Sequence, residues 1–75
     1  MTLYDYLMLN ERNQISTLIH SGQRIMTLDN GATFFELYSV SIFFVELEYE
    51  KWTNTLVGRA IFQSGTDFDK YIPVR

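Results

Sequence analysis

A chain of 75 residues, 47% apolar and 16% aromatic, with a net charge of −3, reads as one folded domain over residues 1–75. So short a chain buries a small core, and without cysteine it has neither disulfides nor thiolate metal sites to reinforce it. The acidic balance and scattered Lys and Arg argue against a general phosphate-binding surface, no run reaches membrane-spanning length, and the start lacks the basic and apolar regions of a signal peptide, so a cytoplasmic protein is expected.

Thr2, with Asp5 three residues on, forms a capping-box pattern and opens a helix. Asn10 offers a second cap before Glu11, an acid placed well for a helix N-terminus. Ile15, Leu18 and Ile19 then share one helix face, and Gly22 is a natural stop. Leu3 to Ser21 is expected to form one kinked helix or two consecutive short ones. From Gln23 the apolar period changes to two. Gln23 to Asp29 reads as a first strand, followed by Asn30-Gly31, the strongest hairpin signal in the chain. A type I′ turn there pairs Leu28 with Thr33, Met26 with Phe35 and Arg24 with Leu37. Ser39-Val40-Ser41 reads as a three-residue loop pairing Leu37 with Phe43 and Phe35 with Val45. Trp52 to Asn54 makes the third connection. Thr55 to Gln63 forms the fourth strand, with Leu56, Ala60 and Phe62 inward and Gly58 marking a bulge or a close approach. Thr66 and Asp69 form another capping pattern, so Asp67 to Ile72 is expected to be a short helix stopped by Pro73.

The expected fold is therefore α+β: N-terminal helical segments packed on a four-stranded antiparallel meander, with a short C-terminal helix. Short connections favour the strand order 1-2-3-4. In this register Phe35, Leu37, Phe43, Val45, Leu47 and Tyr49 face the core. Phe34, Tyr38, Ile42, Phe44 and Ile61 are left as an apolar patch on the outer face. A sheet face turned to water should be mostly polar, so this patch is read as an interface, with cover by the chain's own termini as the alternative.

Chemical signatures are weak. Glu46, Glu48 and Glu50 alternate along one strand about 7 Å apart, but no loop supplies the further oxygens a calcium ion needs. Arg59 is expected across from Glu46 or Glu48, as a cross-strand ion pair. His20 is the one histidine, in the last turn of its helix, where a structural or surface role suffices. The four glycines are too dispersed to cradle a phosphate. Tyr49, Lys51 and Trp52 resemble a single-stranded nucleic-acid platform, yet Glu48 and Glu50 beside them repel phosphate. Tyr4, Tyr6 and Tyr71 are expected at the core rim with wet hydroxyls. No catalytic, cofactor-binding or metal-ligating residue is assigned.

Leu3-Tyr4-Asp5-Tyr6-Leu7, the helical stretch from Glu11 to Gly22, the run from Phe43 to Tyr49 and the piece from Phe68 to Ile72 together resemble a group of small uncharacterised bacterial proteins, often associated with mobile or conjugative elements. That group carries Leu-Trp where this chain has Leu18-Ile19. The resemblance implies a small α+β fold and brings no activity with it. The function expected from the residues is a non-enzymatic protein–protein interaction module, self-associating as a homodimer through the outer sheet face, without direct nucleic-acid or membrane binding and without a cofactor. The alternative is an acidic regulator whose Glu36, Glu46, Glu48 and Glu50 occupy the basic groove of a nucleic-acid-handling protein.

Overall fold

The computed structural model describes residues 1–62. The Thr2 hydroxyl accepts the Asp5 N–H at 3.1 Å and the Asp5 carboxylate accepts the Thr2 N–H at 3.3 Å, so the expected capping box opens α1 (Leu3–Leu7). The Asn10 side chain accepts the Asn13 N–H at 2.8 Å and opens α2 (Glu11–Ser21). Two short consecutive helices are thus formed. Gly22 ends α2 with φ −84°, in extended and not left-handed geometry. Glycine is needed there for space, because a Cβ would stand 2.7 Å from the Leu18 carbonyl oxygen. The buried side of α2 also differs from the one expected: Gln14 and Leu18 are buried, Ile15 half-buried and Ile19 exposed.

The strands are β1 (Gln23–Asn30), β2 (Thr33–Val40), β3 (Phe43–Glu50) and β4 (Leu56–Phe62), antiparallel in the order β1-β2-β3-β4. The helices followed by a four-stranded meander are as expected. The C-terminal helix expected at Asp67 to Ile72 lies outside the described residues.

The turns set the register, and they differ from expectation in two ways. In the first hairpin the central pair is Gly31-Ala32 and not Asn30-Gly31, with Asn30 opposite Thr33. Gly31 takes φ 78° and Ala32 no positive φ, the type II′ pattern. The Asp29 carboxylate accepts the Gly31 N–H at 2.9 Å, which supports the tighter turn. This slip of two residues leaves Met26 and Leu28 on one side with Phe35 and Leu37, while the bulge at Ile25 carries Arg24 from its expected place opposite Leu37 to the other side, opposite Tyr38.

The second turn changes faces. Val40 pairs with Phe43 around a two-residue turn, Ser41-Ile42, in place of the three-residue loop. Leu37 therefore lies opposite Glu46 and Phe35 opposite Glu48. β2 is turned over relative to the expected arrangement. Tyr38 and Val40 join Phe43, Val45 and Leu47 beneath the helices, and Phe35 and Leu37 move to the outer side. The left-handed Ser41, φ 54°, makes the tight turn, and no glycine or asparagine in the sequence announces it.

β4 also departs from expectation. Ile61 pairs with Val45 and Arg59 with Leu47 on the helix side, while Phe62, Ala60 and Gly58 face outward. Leu56 stays inward, as expected, because Val57 is an extra bulged residue between Leu56 and Gly58.

Among the described residues two apolar clusters result. Tyr6, Leu18, Val40, Phe43, Val45 and Leu47 form the main core between helices and sheet. Leu37 and Phe62, with Leu28, Phe35 and Phe44 against them, form a second on the outer side. Full burial of a side chain such as Phe43 or Leu47 stabilises by about 1.5–3 kcal/mol. Tyr6 is completely buried and its hydroxyl donates to the Gln14 carbonyl, so it is a core residue and not the rim residue expected; Tyr4 is the exposed one.

Candidate interaction surface

The five residues expected to form one outer patch are not brought together. Phe34 faces the helix side, its ring stacked on Tyr49 at 5.3 Å. Tyr38 and Ile61 pack against the main core. Ile42 is exposed in the β2–β3 turn. Phe44 alone lies on the outer face, where its ring meets Phe62 at 6.4 Å as part of the second cluster. The cause is the reversal of β2 and β4 just described.

The carboxylates are largely engaged inside the fold. Glu36 points to the helix side, away from the Glu46–Glu48–Glu50 row, and accepts from Arg24 at 3.1 Å and from the Tyr38 hydroxyl at 3.0 Å. Burial, together with the Glu36 hydrogen bond and charge, pushes the Tyr38 hydroxyl up to about 12. Glu46 is buried at 6% exposure. Glu48 accepts from the Thr33 hydroxyl at 2.8 Å, and Glu50 accepts from Thr53. Arg59 does not bridge to Glu46 or Glu48; it reaches across to Glu11 at 2.9 Å, because its side chain rises on the helix side opposite Leu47. That ion pair borders a groove of about 370 Å³ lined by Glu11, Leu56, Val57, Gly58 and Arg59.

His20 is exposed, and its Nδ1–H donates to the Ser16 carbonyl at 2.9 Å one turn back in its own helix. Among the described residues no cluster of three or more His, Cys, Asp or Glu side chains could hold a metal ion. No helix among them is long and apolar enough to cross a membrane.

The surface that stands out is β1. Seven of its eight residues are exposed, Leu28 being half-buried, and among the described residues no strand lies beyond it. Ile25 is 49% exposed and Met26 38%. Ile25 is a bulge residue, because Arg24 pairs with Tyr38 and Met26 with Leu37. A signal for it was present: two adjacent apolar residues, Ile25-Met26, interrupt the strict alternation of a half-buried strand. Arg24 and Asp29, near the two ends of this edge, bond to Glu36 and Lys51, yet their side chains remain 59% and 70% exposed.

No protein-family model, curated protein or solved structure matches this chain.

Proposed function

We propose that the chain is a non-enzymatic protein–protein interaction module that associates with a second copy through its sheet. The observation that carries this reading is β1, an eight-residue edge strand exposed along its length with Ile25 and Met26 at the surface. Exposed strand edges are templates for pairing with another chain. Met26 and Leu28 belong to the outer face and extend it to this edge, so the associating surface is the β1 margin of the sheet. A cytoplasmic setting fits the cysteine-free chain.

Phe44 is not the residue to test, because it packs on the second cluster; Phe44→Glu would probe the fold. The acidic-regulator reading has little to support it, since Glu46 is buried and Glu36, Glu48 and Glu50 accept hydrogen bonds within the chain.

Sedimentation velocity over a wide concentration range tests the proposal. A monomer–dimer equilibrium that shifts with concentration is expected. A chain that stays monomeric over the whole range overturns it.

A further inference from the structure

We infer that two copies join by antiparallel pairing of β1 with β1 about a two-fold axis at Thr27, which fuses two four-stranded sheets into one. This inference rests on the self-association proposed above and specifies its geometry.

The backbone sets which residues can pair. Asn30 and Thr33 flank the two-residue turn and form a hydrogen-bonded pair. Alternation along the ladder then turns the N–H and C=O of Leu28 and Met26 toward β2 as well. Those of Thr27 and Asp29 point to the open side, where the described residues place no strand.

A two-fold axis perpendicular to the sheet keeps each side chain on its own face. Centred on Thr27, it sets Thr27 opposite Thr27 of the second copy and Met26 opposite Leu28 twice, on the outer face. That joins the two outer apolar rows across the seam. Arg24 and Asp29 both lie on the helix side, since they pair with Tyr38 and Phe34. The antiparallel arrangement brings the Arg24 end of one copy to the Asp29 end of the other, so unlike charges meet at both ends of the seam. An axis at Leu28 would instead set Met26 against Asn30 and Thr27 against Asp29. An axis at Asp29 would shorten the overlap.

The opposite edge is protected. β4 carries its bulge at Val57 and a glycine at position 58, and Arg59 is drawn to Glu11. Bulges and charges of this kind blunt an edge. β1 has its bulge at Ile25, near its start, and Met26 to Asn30 run regular, without Lys or Pro. Like edge therefore meets like edge, and the assembly closes as a dimer; a β1–β4 contact would propagate. Strand pairing of this length lies at the small end of protein interfaces, so the dimer should dissociate on dilution.

Two variants test the seam. Thr27→Pro removes an N–H directed away from β2, which an edge strand tolerates. It should be monomeric at concentrations where the parent chain is dimeric. Thr27→Cys introduces the one cysteine of the chain on the axis, where the two residues of a hydrogen-bonded pair, with Cα atoms about 5.5 Å apart, lie within reach of a short bifunctional maleimide. Treated with that crosslinker it should give a covalent dimer at least tenfold faster than Val57→Cys on the other edge. A dimer that survives Thr27→Pro, or Thr27→Cys that links no faster than Val57→Cys, overturns the β1 seam while leaving self-association standing. A parent chain that is monomeric throughout overturns both.

Discussion

Tyr6 and Gln14 hold each other reciprocally. The Tyr6 hydroxyl donates to the Gln14 carbonyl at 3.0 Å, and the Gln14 side-chain amide donates to the Tyr6 carbonyl at 3.1 Å. This pair fastens α1 to α2, while the Tyr6 ring lies 5.2 Å from that of Phe43 in the core. Tyr6→Phe keeps the ring and deletes one hydrogen bond, so it should cost about 1 kcal/mol. Tyr6→Ala also empties the cavity and should cost about 3–5 kcal/mol. Urea unfolding of the two variants measures the difference.

Alkaline pH should weaken the fold through Tyr6 and Tyr38. Burial pushes Tyr6 up to about 12, and Tyr38 is raised to about 12 by burial and Glu36. In the unfolded chain both lose their protons near the ordinary value of about 10. The unfolded state then binds fewer protons, so stability falls as pH rises. The contribution is fully present below about pH 10 and is lost as pH climbs through the folded value near 12. Urea midpoints at pH 8 and pH 11 should differ, and by less in Tyr6→Phe.

Ser41 is a non-glycine residue in the left-handed region, at φ 54°. An L side chain there costs roughly 1–2 kcal/mol. Ser41→Gly should recover much of that, raising the melting temperature by several degrees. Gly31→Ala should do the reverse at φ 78°, through backbone strain alone, because nothing lies within 4 Å of the added Cβ. Thermal melts of both variants would settle the pair; a lower melting temperature for Ser41→Gly would contradict the strain assigned to that turn.

Leu37 is buried at 2% exposure on the outer side, as Leu47 is on the helix side. Leu37→Ala should therefore cost about 2–5 kcal/mol, comparable with Leu47→Ala. A loss below about 1 kcal/mol by chemical denaturation would show that the outer cluster is not core.

At the start of α2 the cap should matter more than the ion pair. Asn10→Ala deletes the acceptor of the Asn13 N–H and should cost about 1 kcal/mol. Glu11→Gln breaks a bridge whose Glu11 side chain is 62% exposed, so its cost should be smaller and shrink further with added salt. Chemical denaturation at low and high ionic strength separates the two.

Local chemistry was sufficient for the order of the elements from α1 to β4. Thr2 with Asp5 and Asn10 before Glu11 mark helix starts through side chains that satisfy open N–H groups, and those bonds involve neighbours only. The change of period at Gln23 and the spacing of turns place four strands in a meander. The inward face of β3, Phe43, Val45 and Leu47, was also legible, because after Phe44 its alternate residues, Glu46, Glu48 and Glu50, are glutamates. β2 was different: Phe34, Tyr38 and Val40 on one side and Phe35 and Leu37 on the other are both apolar, so alternation cannot choose between them. The choice fell to Ser41, whose left-handed φ shortens the turn and reverses the strand, and that conformation is held by the packing of Val40 and Phe43 beneath Tyr6 and Leu18. Tertiary structure likewise moved Arg59 from β3 to Glu11 and dispersed the patch of Phe34, Tyr38, Ile42, Phe44 and Ile61. A one-residue change in loop length moves every side chain of a strand across the sheet, and only the competition between two whole cores decides it.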